Sequence, residues 1–181
     1  LVHVSKNTNV HQEVQEQIQN FISEIEAEIT INSAETGNHL QSLKDNWNEE
    51  FLNNLDKNKN PNNKNIDWED VKNKLPEIIQ KTKTIILNGE SEDILNYEED
   101  NKKRKCIIVI GGDKLSRGIT LEGLKTSYFL RHSKIKIADT LIQMSRWFGY
   151  HKDYFDTCRI FSTDAIIERF RDISEADENF R

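Results

Sequence analysis

Apolar residues recur along this chain with two different periods, and the alternation between them sets the expected fold. Leu1-Val2-His3-Val4-Ser5 is a short β-branched run that ends in polar residues, as a strand entering a turn does. Val10, Val14, Ile18, Phe21, Ile22, Ile25 and Ile29 then fall three and four apart, which puts one apolar stripe on a helix, with Asn9 and Gln12 spaced like a capping box at its start. Leu40, Leu43, Trp47, Phe51 and Leu55 make a second such stripe. A Lys/Asn-rich run with Pro61 follows over 56–65 and predicts an exposed loop. A third helix starts after Asp67, with Trp68, Val71 and Leu75 inward and Pro76 kinking or restarting it before Ile78 and Ile79. The regular spacing of Trp47 and Trp68 on these faces favours core anchors over base-stacking platforms.

The period then changes. Thr84 to Gly89, Cys106 to Ile110, Thr126 to Leu130 and Thr157 to Phe161 are short runs of the buried-strand type. Between the last two, Ala138 to Phe148 predicts a helix with Asp139 near its start, and Thr163 is the expected cap of a final helix with Ile166, Ile167, Phe170 and Ile173 inward. Strands alternating with helices predict an α/β fold with a mostly parallel sheet and helices on both faces. Residues 33–81 interrupt that rhythm as a helical insertion, leaving 1–32 and 82–181 as the α/β domain.

Length adds that 181 residues suffice for one domain with a real core. The chain starts without Met and ends on what reads as an unfinished helix, so a segment of a larger protein is expected. With no long apolar stretch and no leader pattern, the expected compartment is the cytoplasm and no membrane partner is foreseen. Cys106 and Cys158 both fall in expected buried strands, too few for a disulfide framework or a zinc site.

Charge changes the picture more. The net charge of -6 divides into -11 over residues 1–101, +8 over 102–159 and -3 over 160–181. The positive segment is the one that contains Gly111-Gly112, and a basic zone around a glycine turn steers anions such as nucleic acid or nucleotide phosphates. Solvated surface explains the charge equally well.

Candidate chemistry concentrates between Cys106 and Gly149. Gly111 and Gly112 end a buried strand and leave main-chain N–H groups open to a phosphate, although a plain structural turn uses the same residues. Asp113-x-x-x-Arg117-Gly118-x-Thr120 is more specific, because a turn needs neither the charges nor their spacing. Arg117 either pairs with Asp113 to shape the loop, the favoured role, or meets a phosphate bidentately, with Gly118 and Thr120 facing ligand. Gln143 and Arg146 lie three apart on one face of the predicted helix, where a guanidinium suits charge developing on a transferring phosphoryl group. A surface salt bridge is the plainer role for the same arginine.

These motifs carry a family resemblance. The order strand-Ser5, strand-Asn88-Gly89, strand-Gly112-Asp113-x-x-x-Arg117-Gly118, then Gln143-x-x-Arg146 is similar to the second RecA-like domain of superfamily-two helicases. The run from Gly111 to Leu124, with Ser127 to Arg131 and Gln143 to Tyr150, resembles more closely still the Z-one domain. That family is described as endonucleases of large bacterial proteins linked to restriction and phage defence. The resemblance spans nearly the whole chain and is weakest over 33–81.

The resemblance implies a RecA-like three-layer sandwich, an ATP-binding cleft shared with an N-terminal P-loop domain of the same protein, and DNA crossing both. Carried over residue by residue, Gly118 and Thr120 lie near the nucleotide with Asp113 and Arg117, Arg146 is the candidate arginine finger with Gln143 beside it, and Ser5, Gly112 and Lys114 contact the phosphate backbone. Ser145 stands where the family usually has Gly, and His151 where a second Arg is expected. No loop ending in Gly-Lys-Ser/Thr and no acidic Walker B strand occurs here, so ATP and Mg²⁺ are expected to be held mainly by the other domain, and the chain alone to hydrolyse nothing. Asp113, Glu122 and Lys125 are the nearest approach to a nuclease set, but with Glu-x-x-Lys rather than Glu-x-Lys spacing. The alternative function is an inert helicase-like scaffold whose insertion binds a partner protein.

Overall fold

In the computed structural model, the described residues are 1–5, 7–31, 37–52, 66–87, 106–112, 121, 123–130 and 157–179. They form five strands and four α-helices. In chain order these are β1 (Val2–His3), α1 (Thr8–Ile31), α2 (Asn38–Asn46), α3 (Trp68–Lys81), β2 (Thr82–Leu87), β3 (Cys106–Gly111), β4 (Thr126–Phe129), β5 (Arg159–Ser162) and α4 (Asp164–Asn179). The strands make one parallel sheet in the order β2-β3-β1-β4-β5, which bears out the α/β expectation. β1 is central: Val2 aligns with Ile110 and Tyr128, and His3 with Gly111 and Phe129.

The chain divides into two compact units, and α1, β2 and β3 each run from one into the other. The first unit comprises Leu1–Val14, Ile85–Ile94 and Ile108–Arg181. Its core is built on Leu1, Val109, Ile110, Leu121, Phe129 and Ile166, all buried. Period-two alternation in β4 buries Ser127 and Phe129 and exposes Thr126 and Tyr128. Phe129 meets the edge of the His3 ring on one side (centroids 5.1 Å apart) and Phe170 of α4 on the other (6.4 Å). β5 aligns residue for residue with β4, from Thr126 against Arg159 to Phe129 against Ser162.

The second unit comprises Gln15–Thr84 and Leu95–Ile107, and therefore holds most of α1 together with α2 and α3. The stripe on α1 is as expected at Ile18, Ile22, Ile25 and Ile29, but Phe21 is 44% exposed, flanking the stripe and reaching edge-on to His39. Gln15 and Gln19, one turn apart, both donate to the Thr84 hydroxyl (3.3 and 2.9 Å). The second predicted helix is α2 as far as Asn46, then widens to a π-helical turn over Trp47–Leu52 in which Trp47 stacks on Phe51 at 5.5 Å. Asp67 caps α3, as the sequence predicts, and the structure adds a reciprocal bond from Asp70 that closes a capping box. Pro76 does not restart the helix, which runs unbroken past it, and Ile78 faces outward at 44% exposure.

Three local expectations are corrected. α1 is capped by Asn7, whose Oδ1 accepts the Asn9 N–H (3.0 Å); Asn9 is already inside the first turn and has no capping role. Thr163 accepts the N–H groups of Ile166 and Ile167 through its carbonyl, while its hydroxyl is buried with no partner among the described residues and caps neither. Cys106 is exposed because it opens β3 at the strand's outer end, and Cys158 is half-buried just before β5. The predicted helix over 138–148, the loop at 56–65 and Asn88-Gly89 lie outside the described residues.

Candidate functional site

The strand order fixes where a ligand site belongs. The chain leaving β1 travels to the edge strand β2, whereas the chain leaving β3 crosses β1 to reach β4 on its far side. Outgoing connections therefore diverge at β1, and open parallel sheets bind ligands in the crevice at the carboxyl ends of strands where that happens. The residues at this edge are Val4 and Ser5 after β1, Gly111 and Gly112 at the end of β3, and Phe129 and Leu130 at the end of β4. All of them belong to the first unit.

Two of the nine site residues expected from the sequence are described, and both lie at this edge. With His3 aligned with Gly111, Gly112 is the first residue past the end of β3 and Ser5 the second past the end of the adjacent parallel strand β1. Gly112 is buried and Ser5 half-buried. The other seven, Asp113, Lys114, Arg117, Gly118, Thr120, Gln143 and Arg146, lie outside the described residues, as do Glu122, Ser145 and His151. In sequence, Asp113 follows Gly112 directly and Arg131 follows Leu130. Among the described residues no group of three His, Cys, Asp or Glu side chains converges to hold a metal ion.

The turn that carries Ser5 is braced from within. Ser5 Oγ accepts the Asn7 N–H at 3.1 Å, and Nε2 of His11 lies 2.8 Å from the Ser5 carbonyl oxygen. A carbonyl only accepts, so this nitrogen carries the proton. His11 is 1% exposed, and its other ring nitrogen, Nδ1, is buried with no hydrogen-bond partner among the described residues. His3 is fully buried at the carboxyl end of the central strand, beside Gly111, which brings no side chain against it. The Ser127 hydroxyl, also buried on β4, likewise has no partner among the described residues.

Neither histidine was singled out from the sequence, although a signal existed for one of them. His11 extends the α1 stripe in register with Val14, Ile18, Ile22, Ile25 and Ile29, and a histidine at an apolar register position marks a buried polar group. His3 carried no such mark, because a two-residue strand is too short to show alternation.

The second unit has an open apolar groove of about 640 Å³ between the π-helical turn and α3, lined by Trp47, Ile66, Val71, Leu75 and Ile78 with Asp70 and Lys74. The indole N–H of Trp47 is buried there with no partner among the described residues.

Fold and edge together define an α/β protein with a parallel sheet whose chain connections diverge at a serine- and glycine-bearing carboxyl edge. The chain belongs to the Z1 domain family, whose model matches residues 1–181. No curated protein and no solved structure matches it. No helix among the described residues is long and apolar enough to cross a membrane.

Proposed function

We propose that the chain is the second, RecA-like motor domain of an ATP-dependent helicase or translocase-like protein that acts on DNA, in a restriction or phage-defence system. The observation that carries this reading is that Ser5 and Gly112 both follow the carboxyl ends of adjacent strands, β1 and β3, at the divergent edge. A serine hydroxyl and the main-chain N–H groups of a glycine turn are the donors that track a phosphodiester backbone without reading its sequence. Lys114 and the net charge of +8 over residues 102–159 supply the attraction for a polyanion. ATP and Mg²⁺ enter through the family resemblance. They belong to a P-loop domain of the same protein, with Asp113, Arg117, Gly118 and Thr120 facing the nucleotide, and with Gln143 and Arg146 meeting its charge.

The test is DNA binding by the full-length protein as a function of salt. Affinity for single-stranded or duplex DNA should fall linearly on a log-log plot against salt concentration, and Lys114→Ala should shallow the slope by about one phosphate contact. Absence of binding even at low salt sinks the reading. For the motor itself, Arg146→Ala should cut ATP turnover more than nucleotide affinity, and unchanged turnover removes the arginine-finger role.

A further inference from the structure

We infer that His11 is a positioning residue for Ser5: its buried imidazole pins the Ser5 carbonyl so that the Ser5 hydroxyl is held ready to donate to a DNA phosphate. This rests on the reading of Ser5 as a backbone contact. The geometry begins with the 2.8 Å approach of His11 Nε2 to the Ser5 carbonyl, six residues back along the chain. That bond fixes the peptide that follows Ser5. The Asn7 N–H fixes the side chain, because Ser5 Oγ accepts it at 3.1 Å. Oγ has thus used acceptor capacity only, and its own proton remains to be donated outward.

The chemistry of His11 argues that this is more than packing. Its place on the α1 stripe is one that valine and isoleucine fill elsewhere without cost. A fully buried imidazole with Nδ1 unsatisfied is a worse choice for stability, since an unmade hydrogen bond on a desolvated nitrogen is destabilising. A local rule broken in the interior, at the stripe position that reaches the Ser5 carbonyl, marks a residue kept for what it does to that turn. A hydroxyl already fixed in its binding geometry loses less freedom when a phosphate arrives, so the gain appears in affinity.

The experiment measures affinity of the full-length protein for a fluorescein-labelled single-stranded DNA oligonucleotide, with thermal unfolding alongside. His11→Leu is compared in the Ser5 and Ser5→Ala backgrounds. It should weaken binding about tenfold where Ser5 is present and add nothing where Ser5 is already Ala, without lowering the unfolding midpoint. His11→Gln, whose side chain carries an N–H donor to a similar reach, should recover most of the affinity, and the shorter His11→Asn should not; this pair decides the matter even if His11→Leu folds poorly. Equal losses in both backgrounds, or a His11→Leu protein that binds like the wild type, overturn the assignment while leaving the DNA reading intact. A Ser5→Ala protein that binds as tightly as wild type overturns the Ser5 contact and the His11 assignment with it, and a wild-type protein that does not bind DNA overturns the DNA reading as well.

Discussion

Glu28 on α1 caps the neighbouring helix α2 through His39. One carboxylate takes the His39 Nδ1–H at 2.7 Å and accepts the backbone N–H groups of His39 and Leu40 at 3.1–3.3 Å. The first N–H groups of a helix have no partner within it, and α2 lacks a local side-chain cap because Gly37 stands at the capping position. A residue nine places back therefore does the work that Ser, Asp or Asn does elsewhere. The clasp joins two helices of the second unit, and Glu24 adds a further carboxylate 3.3 Å from His39 Nε2.

Gly37 is required by this clasp rather than by backbone conformation. Its φ of -79° is open to any residue, but a Cβ there would collide with the Glu28 carboxylate. A glutamate side chain ordinarily swings aside; this one is held by several hydrogen bonds, so a methyl group at position 37 must break them. Gly37→Ala should lower the urea midpoint and speed amide exchange at His39 and Leu40. In a Glu28→Ala background the same substitution should do little, since nothing is left to strike. Additive losses would show that the clasp is not what the glycine protects.

The clasp also makes the fold sensitive to acid. The hydrogen bond from His39, with the Leu40 and His39 N–H groups and the nearby imidazole charge, holds the Glu28 carboxyl below the usual glutamate range against a smaller opposing push from burial. Folding therefore keeps this proton off where the unfolded chain has already taken it up. The contribution to stability is complete above the unfolded pKa and is lost as pH falls through the lower, folded one. In urea titrations, Glu28→Gln should be less stable than wild type at neutral pH, and the two curves should converge below the ordinary carboxylate range. A constant gap at every pH would exclude Glu28 ionisation as the cause.

In the first unit the most costly single truncation should be Phe129→Ala. Phe129 is 1% exposed, lies edge-on against His3 and reaches Phe170, so it ties the carboxyl end of two strands to α4. Removal of a buried phenyl ring costs about 3–5 kcal/mol, as lost transfer energy plus the cavity left behind. Chemical denaturation should show that loss for Phe129→Ala, and only a fraction of it for Phe129→Leu. A loss near zero would mean that His3 and Phe170 close the gap unaided.

The parts of this architecture that were legible in the sequence are those with a period. Ile18 to Ile29 announced α1, the run Cys106 to Ile110 announced β3, and Asp67 announced the start of α3. What pairing decides was not legible: nothing local says that β1 lies between β3 and β4, and that placement is what brings Ser5 and Gly112 to the same edge of the sheet. Caps supplied from far along the chain were equally silent, as Glu28 shows, since capping rules read only neighbouring residues. The π-helical turn at Trp47–Leu52 keeps the apolar spacing of an α-helix, so periodicity alone passes over it.

The two cysteines turn this lesson into a chemical test. Both fall in runs that read as buried strands, yet Cys106 opens its strand and is exposed, while Cys158 packs with Sγ 3.8 Å from the Leu124 carbonyl oxygen. Burial pushes the Cys158 thiol up, and the charges of Lys125 and Arg159 only partly offset it. Reactivity follows the accessible thiolate, so Cys106 is favoured by its exposure and Cys158 is slowed by its burial and raised thiol pKa. Limited alkylation of the native protein with iodoacetamide, followed by peptide mass spectrometry, should modify Cys106 well before Cys158, and the difference should vanish in urea as both thiols become exposed. Equal rates in the native state would mean that the Leu124–Arg159 region opens faster than alkylation proceeds, which Cys158 amide exchange would then report directly.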